Sequence, residues 1–147
     1  MYHSPLPLIG WGATLLVCVL AWWKGGRAEQ LGAALKLATS LIALAVHHIL
    51  KQDAISGALL TADGVLAIGF LALAIRYASL WIGAAMLLQA GQFSLHAWYL
   101  VSGLDRDRFY AVANNLVTVG ILVCILVGTM VSWIRRERRD TASSQAA

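Results

Sequence analysis

The chain has 147 residues, 60% of them hydrophobic and only 12% charged. A soluble domain carries about 25% charged residues and needs more polar surface than this chain supplies, so the composition excludes a soluble globule and points to an integral membrane protein. The formal net charge of +4 is no nucleic-acid signature: Arg135, Arg136, Arg138 and Arg139 directly follow an apolar run, as a cytoplasmic membrane flank does.

A helix needs about 20 apolar residues to cross a bilayer, and five such runs follow one another. The first, about 6–23, begins among the prolines Pro5 and Pro7. It has no basic leader and no small-residue cleavage site, and Trp22 and Trp23 close it. It reads as a retained helix with a Trp pair at the membrane interface, not as a signal peptide. The second, about 28–50, follows "KGGR" and carries Glu29, Lys36 and His47. Glu29 and Lys36 interrupt it and leave a four-span alternative, with this run lying on the membrane surface. The third, about 54–75, carries Asp63. The link "IRYAS" is short enough to join it to the fourth, about 80–102, as a tight antiparallel hairpin. The fifth, about 110–134, leads into the arginine cluster. Residues 135–147 read as a basic and then polar cytoplasmic tail without fixed structure. The expected fold is an all-α membrane protein: one domain over 1–134, a five-helix transmembrane bundle with short loops.

Lysine and arginine set the orientation. With five spans, Lys24, Arg27, Arg76 and the four tail arginines share one side, and Lys51, Arg106 and Arg108 the other. This balance puts the N-terminus outside and the C-terminus inside.

Residues on a helix are spaced by 100°, so polar stripes can be located. In "QAGQFSLHAW" (89–98), Gln89, Gln92 and His96 fall on one stripe, with Tyr99 and Trp81 at its edge. Glu29, Lys36, Ser40 and His47 share a face of the second helix, Ser56 and Asp63 one of the third, and Asn114, Thr118 and Ser132 one of the fifth. Lipid penalises unpaired polar groups, so these stripes meet inside the bundle. The expected interior cluster is Asp63, Gln89, Gln92, His96, His47 and Asn114. Asp63 is the costliest of them, about 2.5–3.5 kcal/mol at the centre of a spanning helix, and must be protonated, paired or reached by water. Lys36 has the stem to snorkel toward the cytoplasmic interface.

Three further patterns bear on function. His47 and His96 lie at similar depth on different helices, where opposed imidazoles can hold a haem b iron or another metal. A zinc site would need three or four converging ligands, and neither HExxH nor CxxC is present. Gly120, Cys124, Gly128 and Ser132 recur every four residues, a spacing that lets helix backbones approach closely, within the bundle or against another protein. Cys18 and Cys124 read as small core residues.

No P-loop, dinucleotide fingerprint, GxSxG or kinase signature occurs. The first reading is therefore a small multi-pass protein of the bacterial inner membrane without an enzymatic active site. It would act in the lipid bilayer as an accessory subunit of a membrane complex or as a homo-oligomer, with no nucleic-acid partner. The bacterial assignment follows from the Ala/Leu/Gly-rich composition and the lack of an organelle-targeting segment. The second reading is a b-type haem or other ligand-binding redox subunit built on His47 and His96. The third is a small proton- or ion-coupled transporter with Asp63 as its coupling group.

Overall fold

The computed structural model describes residues 6–49, 52–105 and 107–145, with the side chains of 6–9, 47–48 and 52–56 outside the description. The described elements are all helical: α1 (Leu6–Lys24), α2 (Arg27–Ile49), α3 (Gln52–Tyr77), α4 (Leu80–Ser102) and α5 (Arg108–Gln145). Among the described residues, three stretches, Arg27–Val46, Gly57–Tyr77 and Arg108–Gln145, are long and apolar enough to cross a membrane. Each helix packs on its neighbours in sequence, and α5 closes the ring against α1, with a lighter contact between α2 and α5 across the bundle. One end of the bundle, the loop end, holds the segment 103–107 between α4 and α5. The other, the tail end, holds the turns at Gly25–Gly26 and Ala78–Ser79 and the C-terminal part of α5.

Local chemistry explains where the chain turns. At Gly25 an added methyl would collide with the carbonyl of Ala21 and lie 2.7 Å from the Glu29 Cβ, so only glycine fits. The Glu29 carboxylate turns back to accept the Gly26 N–H at 2.9 Å, the reciprocal half of a capping box, which satisfies a donor the start of α2 would otherwise leave unpaired. Glu29 is thereby a buried structural carboxylate. Between α3 and α4, Ala78 takes a left-handed conformation (φ 48) before the extended Ser79. At the far end of α4, Gly103 (φ 62) supplies the left-handed cap and donates its N–H to the Tyr99 carbonyl, as helix ends favour.

The core is apolar and closely packed toward the tail end. Leu66, Phe70, Ile82, Ala85, Ile121 and Ile125 are almost or completely inaccessible. Trp81 of α4 lies against Gly32 of α2 and Gly128 of α5. A methyl at Gly32 would stand 3.0 Å from the indole Cη2, and one at Gly128 2.6 Å from its Cε2 and Nε1. Gly120 receives Leu88 in the same way, at 2.9 Å. Association of helices in lipid draws on packing rather than on the hydrophobic effect, and these glycines are where large side chains gain their contacts. Large apolar residues such as Leu16, Ile68, Leu87 and Val123 point outward, as a lipid-facing surface requires.

The fifth helix corrects the boundary expected at residue 134: residues 135–145 continue it and are not an unstructured tail. No glycine or proline between Gly128 and Gln145 stops the helix. Thr141 and Ser143 also bond back to the carbonyls of Glu137 and Asp140, each at 2.8 Å. Arg136 Nη2 reaches the Gly25 carbonyl at 3.4 Å, and Lys24 sits 4.6 Å from the Trp133 ring centre. At about 1.5 Å per residue, α5 is about 57 Å long, nearly twice a hydrocarbon core of about 30 Å.

Candidate functional site

Asp63 lies in the middle of α3, facing α4. Its Oδ1 accepts the Gln89 side-chain N–H at 3.0 Å, and its Oδ2 is paired with Nδ1 of His96. On the other side of the ring, His96 Nε2 lies 3.1 Å from Asn114 Oδ1 of α5. That oxygen also accepts the Gln92 side-chain N–H at 2.9 Å. Five side chains from three helices thus form one network. The 100° spacing that puts Gln89, Gln92 and His96 on one face of α4 is what lets all three reach across. The side chains of His96 and Asp63 are only 11% and 14% exposed, and Gln89 is wholly buried.

The arrangement constrains the protons. Asn114 Oδ1 is an acceptor for Gln92, so His96 Nε2 carries hydrogen and donates to the same oxygen. One further proton lies between Nδ1 and Oδ2. It makes the pair either imidazolium and carboxylate or neutral imidazole and carboxylic acid, and in both cases the pair is neutral as a whole. In a low-dielectric interior this hydrogen-bonded pair is high-stakes, since removing either member leaves the other uncompensated. Two acceptors in the same region, Oε1 of Gln89 and of Gln92, are buried without a hydrogen-bond partner.

Between the network and the loop end is a cavity of about 230 Å³, lined by Leu59, His96, Tyr99, Leu100, Gly103, Leu104 and Tyr110. Tyr110 stacks on the His96 ring with centroids 5.3 Å apart and meets Tyr99 edge-on at 5.0 Å. Next to Tyr99 and Tyr110, Asp107 caps α5: its Oδ1 accepts the Tyr110 N–H and the Tyr99 hydroxyl, both at 2.8 Å. The Tyr110 amide first, and the Tyr99 hydroxyl second, hold the Asp107 carboxyl below the usual carboxylate range, because both bonds favour the charged form.

The remaining sequence candidates fall elsewhere. The side chains of His47, His48 and Ser56, and all of His3 and Lys51, lie outside the described residues. His96 has both ring nitrogens engaged, so an iron-ligating role would require it to release Asp63 or Asn114. Among the described residues, no three His, Cys, Asp or Glu side chains gather into a metal site. Lys36 does not snorkel outward. It is buried within electrostatic reach of Asp63 and Cys18, because its position a few turns inside α2 faces the ring. Cys18 points its thiol at the Ala33 carbonyl, 3.5 Å away. Of the small-residue stripe, Gly120 and Gly128 face α4, Cys124 packs on the core, and Ser132 lies near Gly26. Arg135, Arg136, Arg138 and Arg139 are exposed on the extension of α5.

Sequence reasoning overlooked Asp107 and Tyr110. A signal for them existed: an Asp three residues before a residue that opens an apolar helical run is an N-cap pattern. No family model, no curated protein and no solved structure matches the chain.

Proposed function

We propose that the chain is a five-span protein of the bacterial inner membrane, loop end outside and tail end in the cytoplasm. It works there as a non-enzymatic accessory subunit or homo-oligomer whose response element is the proton shared by Asp63 and His96. The observation that carries this reading is the network itself. The contact between Asp63 and His96 calls for one shared proton where α3, α4 and α5 are tied together, and a cavity with room for water reaches the His96 ring from the loop end. Gain of a second proton gives the pair a net positive charge inside lipid, and loss of the shared one leaves it negative. Either change alters what holds three of the five helices in register. The orientation is supported by Lys24, Arg27, Arg76 and the tail arginines gathering at one end. The extension of α5 beyond bilayer thickness offers a partner subunit a helical handle.

An alternating-access transporter fits less well, because Trp81, Phe70 and Leu66 fill the bundle on the tail side of the network. Haem ligation by His96 competes with two hydrogen bonds already in place. The test is infrared difference spectroscopy of the reconstituted protein as pH is changed. A carboxylic-acid band that responds to pH and disappears in Asp63→Asn is the expected result. A spectrum unaltered by that substitution rejects the proton-binding role.

A further inference from the structure

We propose that the loop-end cavity binds a compact organic cation, an ammonium group either free in solution or carried on a lipid headgroup. The inference treats His96 as part of a wall and stands apart from its role in proton binding.

The chemistry of the lining favours such a ligand. At about 230 Å³ the cavity lies below the roughly 300–1,000 Å³ of drug-sized sites, so its occupant is small. Two tyrosines and an imidazole supply aromatic surface, and Leu59, Leu100 and Leu104 supply apolar surface. Aromatic faces attract cations, most strongly when the site is partly desolvated. Among the described lining residues there is no lysine or arginine. The carboxylate of Asp107 is bonded to two residues of that lining, accepting the Tyr110 N–H and the Tyr99 hydroxyl, which favour its charged form.

The site is also short of donors rather than acceptors. Both His96 nitrogens are engaged with Asp63 and Asn114, and the Tyr99 hydroxyl already donates to Asp107. Behind the wall, the Gln89 and Gln92 carbonyl oxygens remain unpaired. An anion entering here would meet no lysine or arginine in the described lining, with a carboxylate bonded to two of its residues. A cation with an apolar body would meet π-surface and leucines, with the Asp107 carboxylate behind Tyr99 and Tyr110.

The test compares choline with its neutral isostere 3,3-dimethylbutan-1-ol, titrated by calorimetry into the full chain in phosphatidylglycerol nanodiscs, which contain no amine lipid. Saturable binding of choline with none of the alcohol is expected. Equal binding of both, or no saturation by choline up to about 10 mM, overturns the proposal. Tyr110→Leu is expected to weaken choline about tenfold, and the near-isosteric Asp107→Asn about threefold. Unchanged affinity in both variants places the choline elsewhere and also overturns it. Repeating the titration in phosphatidylethanolamine nanodiscs identifies the source. A fall in choline affinity there shows the lipid headgroup occupying the cavity, and an unchanged affinity shows a free cation as the ligand.

Discussion

Helix α4 serves two differently built halves of the bundle. Toward the tail end it sends Trp81 between Gly32 of α2 and Gly128 of α5, amid wholly buried apolar side chains. Toward the loop end the same helix presents Gln89, Gln92 and His96 to Asp63 and Asn114, beside a cavity. The first half is held by shape and has no room for an added atom around Trp81. The second is held by partners and has room, but losing a partner such as Asp63 strands polar groups in the bundle interior. The two halves therefore fail under different substitutions.

The largest effect is expected in the polar half. Asp63→Ala strands the Nδ1 side of His96 and the Gln89 amide together, and should cost about 3 kcal/mol, read as a lowered unfolding midpoint in micelles. A loss below that of an ordinary membrane hydrogen bond, about 0.6 kcal/mol, would mean that the network contributes little to holding the helices. Next comes the apolar half: Gly128→Ala forces a methyl into the Trp81 indole and should cost about 2 kcal/mol. Gly91→Ala is its control, since a methyl there meets nothing within 4 Å. That variant should be neutral or gain up to about 1 kcal/mol from helix propensity. If both glycine variants behave alike, the close fit around Trp81 is not what distinguishes the tail half.

Gln92→Leu sharpens the contrast further. It removes one bond to Asn114 but also an acceptor that already lacks a partner, and Asn114 keeps His96. The expected loss is under about 1 kcal/mol, well short of Asp63→Ala in the same melting experiment. The smallest effect is local and concerns the start of α5. The Asp107 carboxyl is depressed in the folded protein, so its contribution is complete above the ordinary carboxylate value of about 4. It fades as pH falls through the lower folded value. Hydrogen exchange at the Tyr110 amide should accelerate over that range while exchange in the middle of α4 stays slow. Equal acceleration at both places would indicate global rather than local opening.

Much of this was legible in the sequence because helical periodicity is a strong signal. The run boundaries followed from apolar length and from the Gly25–Gly26 and Ala78–Ser79 breaks. The alignment of Gln89, Gln92 and His96 followed from 100° steps. What periodicity cannot supply is distance between helices. It put Trp81 merely at the edge of a stripe, and nothing in the chain pairs that position with Gly32 and Gly128 until the ring is closed. Lys36 was misjudged because a long side chain near an interface ordinarily reaches for water, and only the packing of α1, α2 and α3 shows that it stays inside. The end of α5 was misjudged for a related reason. Its composition is that of a solvated segment, and a solvated segment attached to a long helix without a breaker continues to be helical.

The contact between α1 and α5 has a consequence for how the molecule is made. Its two sides are separated in synthesis by three other helices, and synthesis runs at about 5–20 residues per second. The face of α1 carrying Val17, Cys18 and Ala21 is buried in the finished ring, yet the last helix of that ring enters only after the other four are synthesised. Until then the nascent chain is an open arc, held by neighbour-to-neighbour hairpins, with an unoccupied edge at each end. Those few seconds are when a second copy, or a chaperone of membrane insertion, has access to surfaces the mature protein never displays.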